Sequence, residues 1–178
     1  MKRSTWLMLV LAVVLSLGVT SVVRAESASV VVNKVDASGI GAQVGTILLT
    51  DTKDGLVLAV NLQGLPPGEH GFHVHEFGSC EPAEKDGKAV AALKAGGHLD
   101  PHKAGAHTGP EGSGHLGDLP LLMVDAHGHA KVELLAKRLK VADVRGHAIV
   151  VHEGGDNFAD APKPLGGGGA RIACGVAQ

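Results

Sequence analysis

The chain has 178 residues and 11 histidines, yet one tryptophan, three phenylalanines and no tyrosine, so any core must be largely aliphatic. Its length suits one domain rather than several. A formal net charge of −2 without basic runs excludes nucleic acid as an expected partner.

In chain order, Lys2 and Arg3 make a positive start and an uncharged apolar run follows from Trp6 to Leu17. The run decays through Gly18–Val23 and meets Val23-Arg24-Ala25, a small-residue site of the A-x-A kind. That order predicts a secretory signal peptide over residues 1–25. A retained membrane anchor is the competing reading, but the strongly apolar stretch falls short of the ~20 residues that span a bilayer. The mature domain, residues 26–178, is therefore expected to be exported and soluble, with no membrane anchor. It keeps 13 basic against 18 acidic residues, a net charge of −5 with histidine neutral. Cys80 and Cys174 are the only cysteines. In an exported chain two distant cysteines read as one disulfide, with a pair of buried free thiols as the alternative.

Short apolar stretches rich in β-branched residues then recur between turn signals. Ser29–Val35, Ala42–Thr50, Leu56–Leu62 and Gly71–His75 fill the first half; Leu121–Val124, His129–Leu135, His147–Val151 and Ala170–Val176 fill the second. Asp54-Gly55 marks a hairpin turn between two of them. Ala89–Lys94 has room for a turn or two of helix. Many short strands at near-regular spacing predict an all-β antiparallel sandwich or barrel. Glu76–Pro120 and Glu153–Gly169 break the rhythm, and loops this long in a compact domain are functional or disordered. Their histidines favour loops ordered by metal.

The histidine spacing carries the chemistry. His73 and His75 stand at i and i+2 in a strand, so both imidazoles face one side while Phe72 and Val74 face the other. His98, His107, His115 and Asp118 follow in the long loop; three imidazoles and a carboxylate suit tetrahedral zinc. His152 ends a distant apolar strand. Three or four imidazoles without thiolate suit copper.

Five motifs occur in order: Gly71–Glu76 (GFHVHE), Gly96–Pro101 (GGHLDP), Gly114–Pro120 (GHLGDLP), Val151–Asp156 (VHEGGD) and Pro164–Gly175 (PLGGGGARIACG). Together they resemble the copper–zinc superoxide dismutases, and GDLP with the glycine run resembles the bacterial periplasmic branch. The resemblance implies an eight-stranded Greek-key β-barrel, related to the immunoglobulin-like sandwiches, with two long functional loops. It implies one copper and one zinc per chain, superoxide as substrate, a periplasmic location, and either a monomer or a homodimer. Copper falls on His73, His75, His98 and His152, and zinc on His98, His107, His115 and Asp118, with His98 bridging both metals and passing a proton to the product. Asp156 matches the carboxylate that orients one ligand on each metal, and Arg171 the cation that attracts the substrate. A Cys80–Cys174 disulfide would tie the metal loop to the last strand.

The other histidines read as structural. His127 and His129 flank a turn at Gly128, His102 is loop surface, and His70 and His147 adjoin motif strands as packing or hydrogen-bonding residues. Lys85, Lys88, Lys94 and Lys163 read as solvated surface, with a contribution of some of them to steering as the lesser alternative. Three competing functions stay in view. A silent copper carrier needs neither His98 nor Arg171, a copper-only relative lacks the zinc set, and a purely structural sandwich leaves the ligand pattern without a role.

Overall fold

The computed structural model describes residues 25–178. All of the expected signal except Ala25 lies outside the described residues. Strands β1 (Ser27–Asp36), β2 (Gly39–Thr52) and β3 (Gly55–Gln63) are joined by tight turns, with Asp54-Gly55 at the second as expected. The chain continues through β4 (Gly68–His70), β5 (Phe72–Val74), a small hairpin of β6 (Ala83–Lys85) and β7 (Lys88–Val90), then β8 (Leu122–Val124) and β9 (His129–Ala136). One helical turn, α1 (Val141–Val144), precedes β10 (Ala148–His152) and β11 (Arg171–Val176).

Seven strands form one curled antiparallel sheet in the order β5-β10-β11-β1-β2-β3-β9, and β4 pairs with β8. Gly71 alone separates β4 from β5. Counted as one strand that changes partner at Gly71, they complete the eight strands of the expected barrel. Two local features differ from expectation. The β6–β7 hairpin lies inside a stretch read as loop, and Ala89–Lys94 gives the end of β7 and a single tight turn at Leu93–Ala95 rather than a helix. The chain reverses at Asp86-Gly87, and both residues have positive φ.

Burial follows the period of two. In β1, Ala28, Val30 and Val32 are buried while Ser29 and Val31 face solvent. The interior is aliphatic, built on Ile47, Leu49, Leu56, Leu58, Leu62, Leu122 and Ile149 around Phe72, which is the one aromatic ring among the core residues. Each fully buried side chain of this size contributes ~1.5–3 kcal/mol relative to exposure. β5 is buried on both faces: Phe72 and Val74 join this core, and His73 and His75 occupy the other side.

Cys80 and Cys174 form the disulfide, with Cα atoms 5.7 Å apart and a sequence separation of 94. Closing so long a loop restrains the unfolded chain. A double Cys80→Ala/Cys174→Ala variant is expected to lose ~2–5 kcal/mol in denaturant unfolding. A loss below ~1 kcal/mol would show that the bond contributes little to folding.

Candidate metal centre

The long loop after β5 is held by backbone pairing along the free edge of that strand. Val74 N–H donates to Gly117 O at 2.8 Å, Leu99 N–H to Val74 O at 2.9 Å, and Leu119 N–H to Phe72 O at 3.2 Å. These contacts bring His98 opposite His75 and Asp118 opposite His73. Gly117 is required for so close an approach, since a Cβ there would stand 2.2 Å from Val74 O. β10 supplies His152 from the other side, where a bulge after Val151 pairs it with Arg171 at the start of β11.

Two buried ligand groups result. Ring nitrogens of His73, His75, His98 and His152 all lie within 4.8 Å of one another, and so do donor atoms of His73, His98, His107 and Asp118. The groups share His73 and His98, whose rings stack at a centroid distance of 3.9 Å. His115 sits at the margin of the second group, with Nδ1 3.6 Å from Asp118 Oδ1. Every ligand position expected from the sequence therefore gathers in one place. Among the described residues no other such group forms, which leaves His102, His127 and His129 as surface residues.

The ring nitrogens divide into anchored and free. His73 Nε2 and His107 Nε2 donate to the two oxygens of Asp156, each at 2.8 Å. His75 Nδ1 donates to Gly96 O at 3.1 Å, and His152 Nδ1 lies 3.4 Å from Gly169 O. These anchors fix the rings and leave the opposite nitrogen available. His98 Nδ1 meets Asp118 Oδ1 at 3.1 Å, and the Nε2 atoms of His75 and His152 face each other at 3.3 Å. His73 Nδ1, His98 Nε2, His107 Nδ1 and His115 Nδ1 are buried without a well-directed hydrogen bond, although His107 Nδ1 lies 3.0 Å from Asp118 Oδ2. Leaving a buried polar atom unpaired costs ~1–3 kcal/mol. Four such atoms converging with a carboxylate and no thiolate fit bound copper and zinc.

Charge differs between the two sides. Burial holds His73 below and His75 well below the ordinary imidazole range, with the Arg171 charge adding to the effect on His75. Burial likewise pushes His98 to about 4 and His152 to about 3. These rings are neutral and ready to ligate. At His107 burial also opposes charge, but hydrogen bonds to Asp118 and Asp156 outweigh it and raise the ring to about 9. Against the cost of their own burial, hydrogen bonds from His107 and its neighbours hold both carboxylates well below the usual range. Metal-free His107 thus carries a proton that must leave when metal binds.

The second long loop closes the site. Phe158 N–H donates to Asp156 Oδ1 at 2.7 Å, and Asp160 accepts the N–H groups of His107 and Leu165 at 2.9 and 3.2 Å. Gly166 has φ +68° and packs so tightly that a Cβ would lie 1.8 Å from Asp156 Oδ1. The glycine run therefore makes room for the buried carboxylate as well as for approach to the metal. Arg171 donates to Ala92 O at 2.5 Å and Gly96 O at 2.6 Å. Because Gly96 O also receives His75 Nδ1, the guanidinium is tied to the group around His75. Buried His70 lies 2.7 Å from His152 O and 2.8 Å from Pro66 O, and His147 Nδ1 lies 3.0 Å from His75 O. Both have the hydrogen-bonding role expected. Asp160 escaped the sequence reading, because nothing distinguishes an exposed loop aspartate that accepts backbone N–H groups from any other.

The family profile described as copper/zinc superoxide dismutase matches residues 43–177. The protein named superoxide dismutase [Cu-Zn] 2 of Salmonella typhimurium is 56% identical over 154 residues, covering 86% of this chain and 89% of its own length. The solved Cu/Zn superoxide dismutase from Brucella abortus is 50% identical with a TM-score of 0.84, covering 86% of this chain and all of that one. The solution structure of the monomeric copper, zinc superoxide dismutase from Salmonella enterica is 55% identical with a TM-score of 0.78, over 86% of this chain and all of the other. With this ligand geometry, fold and likeness, the chain belongs to the copper/zinc superoxide dismutase family.

Proposed function

We propose that this chain is a superoxide dismutase of the exported compartment, converting two superoxide anions and two protons to dioxygen and hydrogen peroxide. The observation that carries the reading is the pair of buried ligand groups that share His73 and His98, with partnerless ring nitrogens aimed into them. Copper would be held by His73, His75, His98 and His152, and zinc by His98, His107, His115 and Asp118. When bound, copper supplies the one-electron redox chemistry, and zinc, which has none, supplies charge and fixed geometry.

The chain's own groups do the rest. Asp156 orients His73 and His107 together, so one carboxylate sets a ligand in each group. His98 Nε2 is the atom at which the chain holds and releases a proton. Arg171 places a fixed positive charge beside His75 and His152 and draws in the anion. Residues 1–25 direct export and residues 26–178 work in the periplasm. Among the described residues no helix is long and apolar enough to cross a membrane. Light scattering of the mature protein distinguishes a monomer, the form of the S. enterica relative, from a homodimer.

Metal analysis of the purified mature protein, alongside superoxide consumption, tests the reading. One copper and one zinc per chain are expected. Asp118→Ala is expected to lose the zinc equivalent and much stability while retaining part of the copper. A full zinc equivalent in Asp118→Ala would overturn the zinc assignment.

A further inference from the structure

Four of the six histidines in the metal centre have a second ring nitrogen hydrogen-bonded to a carboxylate or carbonyl outside the proposed ligand set, and His98, shared by both metals in that reading, meets Asp118. His115 is the exception. Its Nδ1 is buried and unpaired, and among the described residues its ring makes no hydrogen bond. Whatever aims that ring must therefore act through the backbone. His115 N–H donates to Ala106 O at 3.0 Å, and Gly114 N–H donates to Thr108 Oγ1 at 2.6 Å. The two carbonyls on either side are taken by a residue from outside the loop. Arg138, in the connection between β9 and α1, donates from Nη2 to Gly114 O at 2.8 Å and from Nη1 to His115 O at 3.1 Å.

Arg138 lies between buried Ala136 and Leu139, is itself half-buried, and forms no ion pair among the described residues. Its neighbour Lys137 does pair with a loop carboxylate, Glu111, at 3.0 Å in the open. The Arg138 fork is thus spent on the two peptide groups that set the direction of the His115 Cα–Cβ bond. A planar guanidinium spans two carbonyls in fixed geometry, and an ammonium does not.

The geometry points to Arg138 as a positioning residue for the zinc side of the centre: it anchors the metal loop to the barrel and aims His115 at the metal. This rests on the zinc reading above, and the experiment separates the two. Wild type, Arg138→Gln, Arg138→Lys, Lys137→Gln and His115→Ala are compared by zinc affinity in chelator competition. The visible spectrum with cobalt(II) in place of zinc, and the unfolding midpoint of the metal-free protein, complete the comparison. Arg138→Gln is expected to bind zinc ~10-fold more weakly and to shift the cobalt spectrum towards that of His115→Ala. Arg138→Lys should fall between Arg138→Gln and wild type, and Lys137→Gln should match wild type because an exposed pair contributes little.

A purely structural role would lower the metal-free midpoint and leave the cobalt spectrum of Arg138→Gln unchanged, which would overturn the proposal. Equal effects from Lys137→Gln would overturn it as well. Should Arg138→Gln fail to fold, a wild-type zinc affinity in Arg138→Lys does the same. His115→Ala with wild-type zinc affinity would remove His115 from the ligand set and take the proposal with it.

Discussion

Arg171→Ala is expected to consume superoxide roughly one to two orders of magnitude more slowly than wild type while holding the same copper. Residues 26–178 carry a net charge of −5 with histidine neutral, so their overall field repels a small anion. Fast capture then depends on local positive potential focused at the centre. Arg171 supplies it from a fixed place, held by Ala92 O and Gly96 O. A unit charge ~4–5 Å away contributes ~1–4 kcal/mol between the dielectric limits of water and protein surface. Arg171→Lys should recover part of the rate, keeping the charge but not the two-carbonyl grip. The wild-type rate should also fall as salt screens the attraction. Pulse radiolysis at several ionic strengths, with copper measured in each sample, checks this. An Arg171→Ala protein with full copper and an unchanged rate would sink the steering role.

Asp156→Asn should weaken both metals at once. The carboxylate accepts three hydrogen bonds, from His73 Nε2, His107 Nε2 and Phe158 N–H. An amide has one acceptor oxygen, so it serves at most one of the two rings and turns a donor on the other. Losing such an orienting partner costs ~10–100-fold in metal affinity. The two effects should appear together because a single side chain sets both rings. The variant should also free the glycine-rich segment, since Gly166 is packed directly against this carboxylate. Separate chelator competitions for copper and zinc measure the outcome. A variant that weakens zinc alone would show that His73 is oriented by something other than Asp156.

The residues that gather in the centre were legible because their spacing is local or repeated in short motifs. His-x-His in a strand puts both rings on one face whatever surrounds them, and His73 and His75 do so here. Cys80 and Cys174 pair as read. What stayed hidden is what depends on contacts distant in sequence. The composition of Glu76–Pro120 reads as loop, yet Leu99, Gly117 and Leu119 within it are held by backbone bonds to β5. Backbone pairing leaves no trace in residue type except where a side chain cannot fit, as at Gly117. The glycine run before Arg171 reads in the sequence as part of a family motif. That Gly166 must clear Asp156 is visible only once both loops are placed. Arg138 and Asp160 act through main-chain groups, so their partners could be any residue at all.

The loop laid along β5 has a second consequence. β5 ends the seven-stranded sheet, and a terminal strand with unpaired N–H and C=O groups is a template for another chain. Here the Val74 N–H and C=O and the Phe72 C=O are already taken by Gly117, Leu99 and Leu119. The strand beneath is short and buried on both faces. Lifting the loop would uncover a sticky margin flanked by Phe72 and Val74. If His98 and Asp118 hold metal as proposed, binding would pin the loop here and guard this edge against self-association. Metal-free or Asp118-deficient protein should form higher-order species on storage, while the fully loaded chain stays dispersed.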